Sequence, residues 1–243
     1  GIVEEGHLVF ALEVDTLGHR YEGAEAPVFE RFSTMIDAGD KVAIVGANGA
    51  GKTTLLRAMG GVEITGLVAS SGRVKWAENA DIGYMAQDVY PDFESDQTIT
   101  DWIGRYTQEG DDDQAVRSIL GRMLFGGDDV RKAVRVLSGG EKHRMSFGRL
   151  MLGRHNVMLM DEPFGAVDPV ARERLQEEFL KLQRELGTTT VIVTHDIDEA
   201  INLGHQVAVL RVGGQLAQVA DPAYLLAHPV DDTVAAFLGR DRG

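Results

Sequence analysis

The chain has 243 residues with 24 Lys and Arg against 38 Asp and Glu, a formal net charge of −14. At 44% hydrophobic residues it can fill a normal core, which excludes global disorder. The absence of cysteine excludes disulfides, thiolate metal sites and thiol nucleophiles, and the acidic balance excludes broad sequence-independent nucleic-acid binding, which needs a positive footprint. No apolar run approaches the roughly 18–20 residues that span a bilayer. The first residues lack the basic region of a secretory signal, so a cytoplasmic setting is expected.

In chain order, residues 8–14 and 28–37 read as short strands separated by the turn-rich GHRYEGAEAP. KVAIV, residues 41–45, is a continuous apolar run suited to a strand buried on both faces. A glycine-rich turn follows from Gly46 to Thr54, and TTLLRAMGG reads as a short helix. RVKWA (73–77) and IGYMAQ (82–87) are two further strands. Residues 88–136 change character, with helical patterning in TITDWIGRY and DDDQAVRSILGRMLF, and are expected to form an inserted helical lobe. Asp111, Asp112 and Asp113 are expected in the first turn of its second helix, where the macrodipole favours negative charge. Trp76 and Trp102 are expected to serve packing.

Beyond the lobe, a helix is expected from Gly140 to about Arg154, then a buried strand at 156–160. Leu175, Phe179, Leu182 and Leu186 are spaced four, three and four apart within 169–186, one face of an amphipathic helix. TTTVIVTH (188–195) is β-branched and reads as a strand. QVAVLRV and QLAQVA, joined by Gly213 and Gly214, read as a hairpin, and two short helices close the segment 221–238. The alternation implies an α/β fold with a mostly parallel sheet and a small antiparallel subdomain.

GANGAGKT, residues 46–53, has the spacing of a phosphate-binding loop. Its glycines let consecutive backbone N–H groups face phosphate oxygens, and the helix N-terminus adds positive potential. Lys52 would reach the β- and γ-phosphates, and the Thr53 hydroxyl would ligate Mg²⁺. VMLMDE (157–162) is an apolar strand ending in two acids. Asp161 would hold Mg²⁺ and Glu162 would act as general base on the attacking water. In LSGGE (137–141), Ser138 and Glu141 fit a capping box. The same serine, Gly139, Gly140 and the helix N-terminus also make an anion site. Within one chain that second site is surplus; it makes sense against nucleotide held by another subunit.

With these motifs in this order, the chain resembles an ATP-binding-cassette (ABC) nucleotide-binding domain along nearly its whole length. The resemblance implies a P-loop NTPase fold in which residues 1–87 and 137–243 form the core and antiparallel subdomain, and 88–136 the helical subdomain. It implies a head-to-tail homodimer with ATP between the loop of one subunit (Gly46, Asn48, Gly49, Ala50, Gly51, Lys52, Thr53 and Thr54) and the signature of the other (Ser138, Gly139, Gly140 and Glu141). Gln87 matches the glutamine that touches Mg²⁺ and water, where the plain alternative is a surface glutamine. His195 matches the histidine that contacts the γ-phosphate. Asp168 matches an interface aspartate, and is equally an N-cap ahead of Pro169. Tyr21 matches the aromatic that stacks on adenine, with His19 and Phe29 close by.

Two subfamilies are visible within this pattern. Residues from about 5 to 155 resemble the ABC-F class in NGAGKTTLLRAMGG, VKWAENADIGYMAQD, DFESDQTITDWI and LSGGEKHRM. Residues from about 160 to 243 resemble osmoprotectant importer ATPases of the glycine betaine type in DEPFGAVDPVARERLQEEFLKLQRELG, TTVIVTHDIDEAINLG and GGQLAQVADPAYLLAHP. The resemblance therefore implies a hybrid with its seam near 150–162. A permease, with the chain peripheral to the inner membrane, or a ribosome is the partner implied. A hybrid that binds nucleotide with little hydrolysis is the alternative.

Overall fold

The computed structural model describes residues 10–240. The expected strand from 8 to 14 begins inside this range at Phe10; residues 8 and 9 lie outside the described residues. Strand β1 (Phe10–His19) pairs antiparallel with β2 (Phe29–Asp37) and with β4 (Ser71–Trp76), giving a three-stranded sheet ordered β2-β1-β4. Gly18 and His19, the first two residues of the expected turn at 18–27, are thus strand.

The larger sheet is ordered β5-β6-β7-β3-β8-β9. It contains β3 (Lys41–Gly46), β5 (Ile82–Met85), β6 (Val157–Asp161), β7 (Thr189–Val193), β8 (Gln206–Arg211) and β9 (Gln215–Ala220). All pairs are parallel except the β8–β9 hairpin. Gly213 and Gly214 turn that hairpin with φ of 86° and 67°, the left-handed geometry a tight hairpin demands. Every residue of β6 and β7 is buried, and only Lys41 of β3 is not. This is why those strands read as unbroken apolar or β-branched runs.

Helix α1 (Lys52–Thr65) follows β3 and outruns the short helix expected, with a kink at Gly61. Segment 88–136 carries α2 (Ile99–Gly104), α3 (Asp113–Arg122) and three 3₁₀ turns, but no strand. Asp112 caps α3, accepting from the Gln114 and Ala115 amides, and Asp113 opens it. Asp111 lies outside the helix, contrary to expectation. Its carboxylate accepts from the Gln108 amide at 2.8 Å and pairs with Arg154, which ties it to the preceding turn.

The signature region starts α4 (Gly139–Gly153), and α5 (Pro169–Leu186) follows β6 with the bounds its periodicity gave. Leu175, Phe179 and Leu182 are buried, but Leu186 is 45% exposed in the last turn before Gly187 ends the helix. Helix α6 (Ile197–Leu203) follows β7, and α7 (Pro222–Ala227) and α8 (Asp232–Arg240) close the described chain.

Three apolar clusters hold these layers. One joins the three-stranded sheet to α1 and the large sheet through Leu12, Phe29, Leu55, Met59 and Val191. A second packs Val45, Ile197, Val209, Leu225 and Val234 on the opposite side. The third runs from segment 88–136 into α4, α5 and the sheet through Phe93, Trp102, Phe147, Met160 and Phe179. Trp102 is fully buried, stacks on Phe93 at 4.5 Å and donates its indole N–H to the Asp92 carbonyl at 3.0 Å. Trp102→Ala should therefore lower stability by about 3–5 kcal/mol, through the cavity and the orphaned carbonyl. A urea midpoint measured beside the parent checks this.

Candidate nucleotide-binding site

The C-terminal ends of β3, β5, β6 and β7 carry the site, the edge at which parallel sheets gather functional loops. Beyond β3, Gly51 is the N-cap of α1 with φ of 91° and no side-chain cap. A Cβ there would also lie 2.9 Å from Val28 Cγ1, so only glycine fits. The first amides of α1 therefore stay open for an anion. Lys52, 7% exposed, donates from Nζ to the carbonyls of Gly46 at 2.9 Å and Ala47 at 3.3 Å. Burial lowers its pKa, against the charges of Glu162 and Asp161.

Asn48, Gly49, Ala50, Gly51, Lys52, Thr53 and Thr54 line one cleft of about 370 Å³ with Tyr21, Val28, Gln87 and Glu162. Gly46 stands behind it, contributing its carbonyl to Lys52. Gln87 lies two residues past the end of β5, not on the strand itself. Tyr21 is 44% exposed and shares a hydrogen bond with Thr54 Oγ1 at 3.2 Å. Of its neighbours, Phe29 is fully buried and His19 nearly so, leaving Tyr21 as the aromatic that faces the cleft.

Asp161 is fully buried at the end of β6 and accepts from the Thr53 hydroxyl at 3.1 Å. Its second oxygen, Oδ2, is buried without a partner. Burial raises its pKa to about 6; the Glu162 charge adds to the rise, and Thr53, Lys52 and Arg57 oppose it. Two hard oxygens side by side, one of them orphaned, fit a Mg²⁺ ion. Gln87 lines the cleft with Thr53, and its amide oxygen is a donor of the same kind.

Glu162 has a left-handed backbone, φ 51°, and its N–H donates to the Val193 carbonyl at 2.8 Å. Its Oε2 meets His195 Nδ1 at 2.5 Å. β7 ends at Val193, so His195 sits in the loop beyond it and not on the expected strand.

The signature residues do not join this cleft within the chain. Ser138 caps α4, and its own amide donates to Glu141 Oε2 at 2.8 Å, completing the capping box. Burial pushes the Glu141 carboxyl up, but the hydrogen bonds from Ser138 prevail and its pKa falls below the ordinary value. A Cβ at Gly139 would lie 2.5 Å from the Tyr90 hydroxyl, and one at Gly140 3.0 Å from the Ala166 carbonyl. Asp168 is exposed and caps α5, accepting from the Ala171 amide at 3.0 Å.

Val28 is a cleft residue that sequence reasoning missed. An apolar residue ahead of a strand carries no chemical signal, and only the fold brings it to Gly51. Arg172, one turn into α5 and outside the cleft lining, is another residue that no motif marked.

A phosphate loop, a buried acid beside its threonine and a second acid held by a histidine, all at one edge of a parallel sheet, define a P-loop nucleotide-binding cassette. The chain belongs to the ABC transporter family, whose sequence profile matches residues 29–165. It is 46% identical over 186 residues to the "Probable ATP-binding protein YbiT" of Escherichia coli, covering 76% of this chain and 33% of that protein. It is 32% identical over 246 residues to the "Glycine betaine/carnitine/choline transport ATP-binding protein OpuCA" of Bacillus subtilis, covering 95% and 63%. The "Osmoprotectant import ATP-binding protein OsmV" of Salmonella typhimurium is 32% identical over 91% of this chain and 60% of its own. The chain thus spans one third of YbiT and about three fifths of the importer proteins.

Among solved structures, the post-hydrolysis dimer of the ATP-binding cassette MJ0796 bound to ADP and Pi superposes with a TM-score of 0.73 at 21% identity, over 87% of this chain and 98% of that one. The structure of cbiO1 from Clostridium perfringens gives 0.71 at 24%, over 90% and 91%. The fold is that of the ABC-type ATPases.

Proposed function

We propose that the chain binds MgATP and hydrolyses it in a head-to-tail homodimer, as the motor of an import system. The observation that carries this reading is Glu162, held by His195 while lining the same cleft as the phosphate loop. The loop amides and Lys52 would hold the triphosphate. Glu162 would take the proton from water as its oxygen attacks the γ-phosphorus and the bond to the β-phosphate oxygen breaks, releasing ADP and phosphate. Gln87 would orient that water and His195 would contact the γ-phosphate. Bound through Thr53, Gln87 and Asp161, Mg²⁺ would neutralise phosphate charge.

In this reading Ser138, Gly139, Gly140 and Glu141 serve the partner's nucleotide, and Asp168 lies at the dimer interface. Residues 88–136 form the helical subdomain of a single cassette, and the remainder its core and antiparallel subdomain. The in-register pairing of β6 with β5 and β7 supports hydrolysis over the binding-only alternative, because Asp161 and Glu162 then stand at the strand end beside the loop. Steady-state phosphate release, run beside a nucleotide titration, separates the two. Release at the buffer rate with ATP bound would overturn the catalytic reading.

The importer relatives favour a membrane permease over a ribosome as partner, and so a place at the inner membrane's cytoplasmic face. No helix among the described residues is long and apolar enough to cross a membrane itself. A hybrid origin, ABC-F-like to about residue 155 and importer-like from about 160, would give the pattern found: 46% identity over part of the chain to one relative, 32% over nearly all of it to another. Co-purification with permease or with ribosomes distinguishes the partners.

Tyr21 would stack on adenine. Tyr21→Ala should weaken ATP binding about 3- to 10-fold, the loss of roughly one aromatic stack, with phosphate release at saturating ATP little changed. Isothermal titration of both proteins tests this.

A further inference from the structure

Between α5 and α6 lies a polar ladder that the roles above do not use. Arg172, one turn into α5, donates from Nη2 to the Val167 carbonyl at 3.2 Å and places Nη1 3.9 Å from Asp196 Oδ2. One turn further, Gln176 Nε2 donates to Glu199 Oε1 at 3.0 Å. Glu199 is only 6% exposed, and the Thr194 hydroxyl also faces its carboxylate. Asp196 caps α6 through the Glu199 amide and donates its own amide to Thr194 Oγ1 at 3.1 Å. The two rungs therefore grip Thr194 and Asp196, the residues on either side of His195.

Helix α6 is a seven-residue helix, and a segment so short holds little order by itself. His195 is exposed, yet its ring is fixed on Glu162. On the sheet side the Thr194 amide donates to the Ile44 carbonyl at 3.1 Å, and on the helix side the ladder holds Thr194 and Asp196. Its upper rung also touches Val167, the neighbour of Asp168, so one guanidinium joins the segment before α5 to the His195 loop. Arg172 Nε is buried without a partner, so the guanidinium's contacts run through its two terminal nitrogens, to the Val167 carbonyl and toward Asp196.

We infer that Arg172 and Gln176 are positioning residues that hold His195 against Glu162, with Arg172 linking that contact to the Val167–Asp168 segment. The catalytic consequence rests on the hydrolysis proposed above; the positioning itself does not. Arg172→Ala should lower kcat about 10-fold with KM for ATP within twofold. Arg172→Lys should recover little, because an ammonium cannot span both partners. Asp196→Ala should do the same, and the double variant should be no slower than either single one.

In the nucleotide-free protein, the His195 ring resonances, assigned by their loss in His195→Gln, should move in Arg172→Ala and Gln176→Leu. Multiplying losses in the double variant, an unchanged kcat, or unmoved His195 resonances would overturn the inference. If the parent itself releases no phosphate, the hydrolysis reading falls and the resonances alone decide the ladder. Should Arg172→Ala not fold, as a thermal melt would reveal, Gln176→Leu carries the same expectations.

Discussion

Glu162→Gln should bind ATP with nearly the parent affinity, lose about 10²–10⁴-fold in phosphate release, and accumulate as a dimer when ATP is added. The size follows from removing a general base. The selectivity follows from the surroundings. Glutamine has the same length, its backbone can hold the same φ of 51°, and its amide oxygen can still accept from His195 Nδ1. What disappears is the basic oxygen that takes the water's proton. Lys52 and the loop amides, which would hold the triphosphate, are untouched. A dimer that closes on ATP would thus stay closed, since the step that breaks its bridge is slowed. Without nucleotide, two acidic chains of −14 each should separate at low salt. Solution mass with and without ATP, alongside a phosphate-release assay, reads all three effects. A variant that turns over at the parent rate would remove Glu162 from the role of base.

Much of this site was legible in the sequence because its chemistry demands particular residue types at fixed spacings. Gly51, Lys52 and Thr53 must follow a buried strand, and two acids must end another. The capping box of Ser138 and Glu141 and the N-cap at Asp168 were visible for the same reason, since local hydrogen bonds leave local patterns. Less legible were the places where tertiary contacts set the boundary. β1 runs on to His19 because β2 and β4 pair with it on both sides. Asp111 leaves its helix because Arg154 and the Gln108 amide hold it elsewhere. Leu186 continues the apolar period of α5 yet faces solvent, because Gly187 ends the helix before another layer can cover it. Val28 and the Arg172 rung depend on contacts between segments far apart or on neighbouring elements, and no spacing rule encodes them.

The second large effect concerns Asp161 and pH. Its carboxyl ordinarily titrates near 3.8, and burial raises that to about 6 in the folded chain. Below both values the group is protonated in folded and unfolded states alike and contributes nothing to a pH slope. Between them the folded state holds the extra proton, so stability falls as pH rises. Above about 6 the full cost of a buried, half-satisfied carboxylate is present, on the order of 3 kcal/mol. An amide in its place cannot ionise, so the stability of Asp161→Asn relative to the parent should climb by most of that amount, about 2 kcal/mol, from pH 4 to pH 7. Comparing two pH values cancels whatever the new amide costs by itself. The measurement is urea unfolding of both proteins in chelator, without nucleotide. Adding Mg²⁺ and a non-hydrolysable ATP analogue should flatten the climb, because a cation at the orphaned oxygen favours the ionised form that burial opposes. A difference between the two proteins that stays constant from pH 4 to pH 7 would mean that this carboxyl is already satisfied. It would then have no need of a cation as its partner.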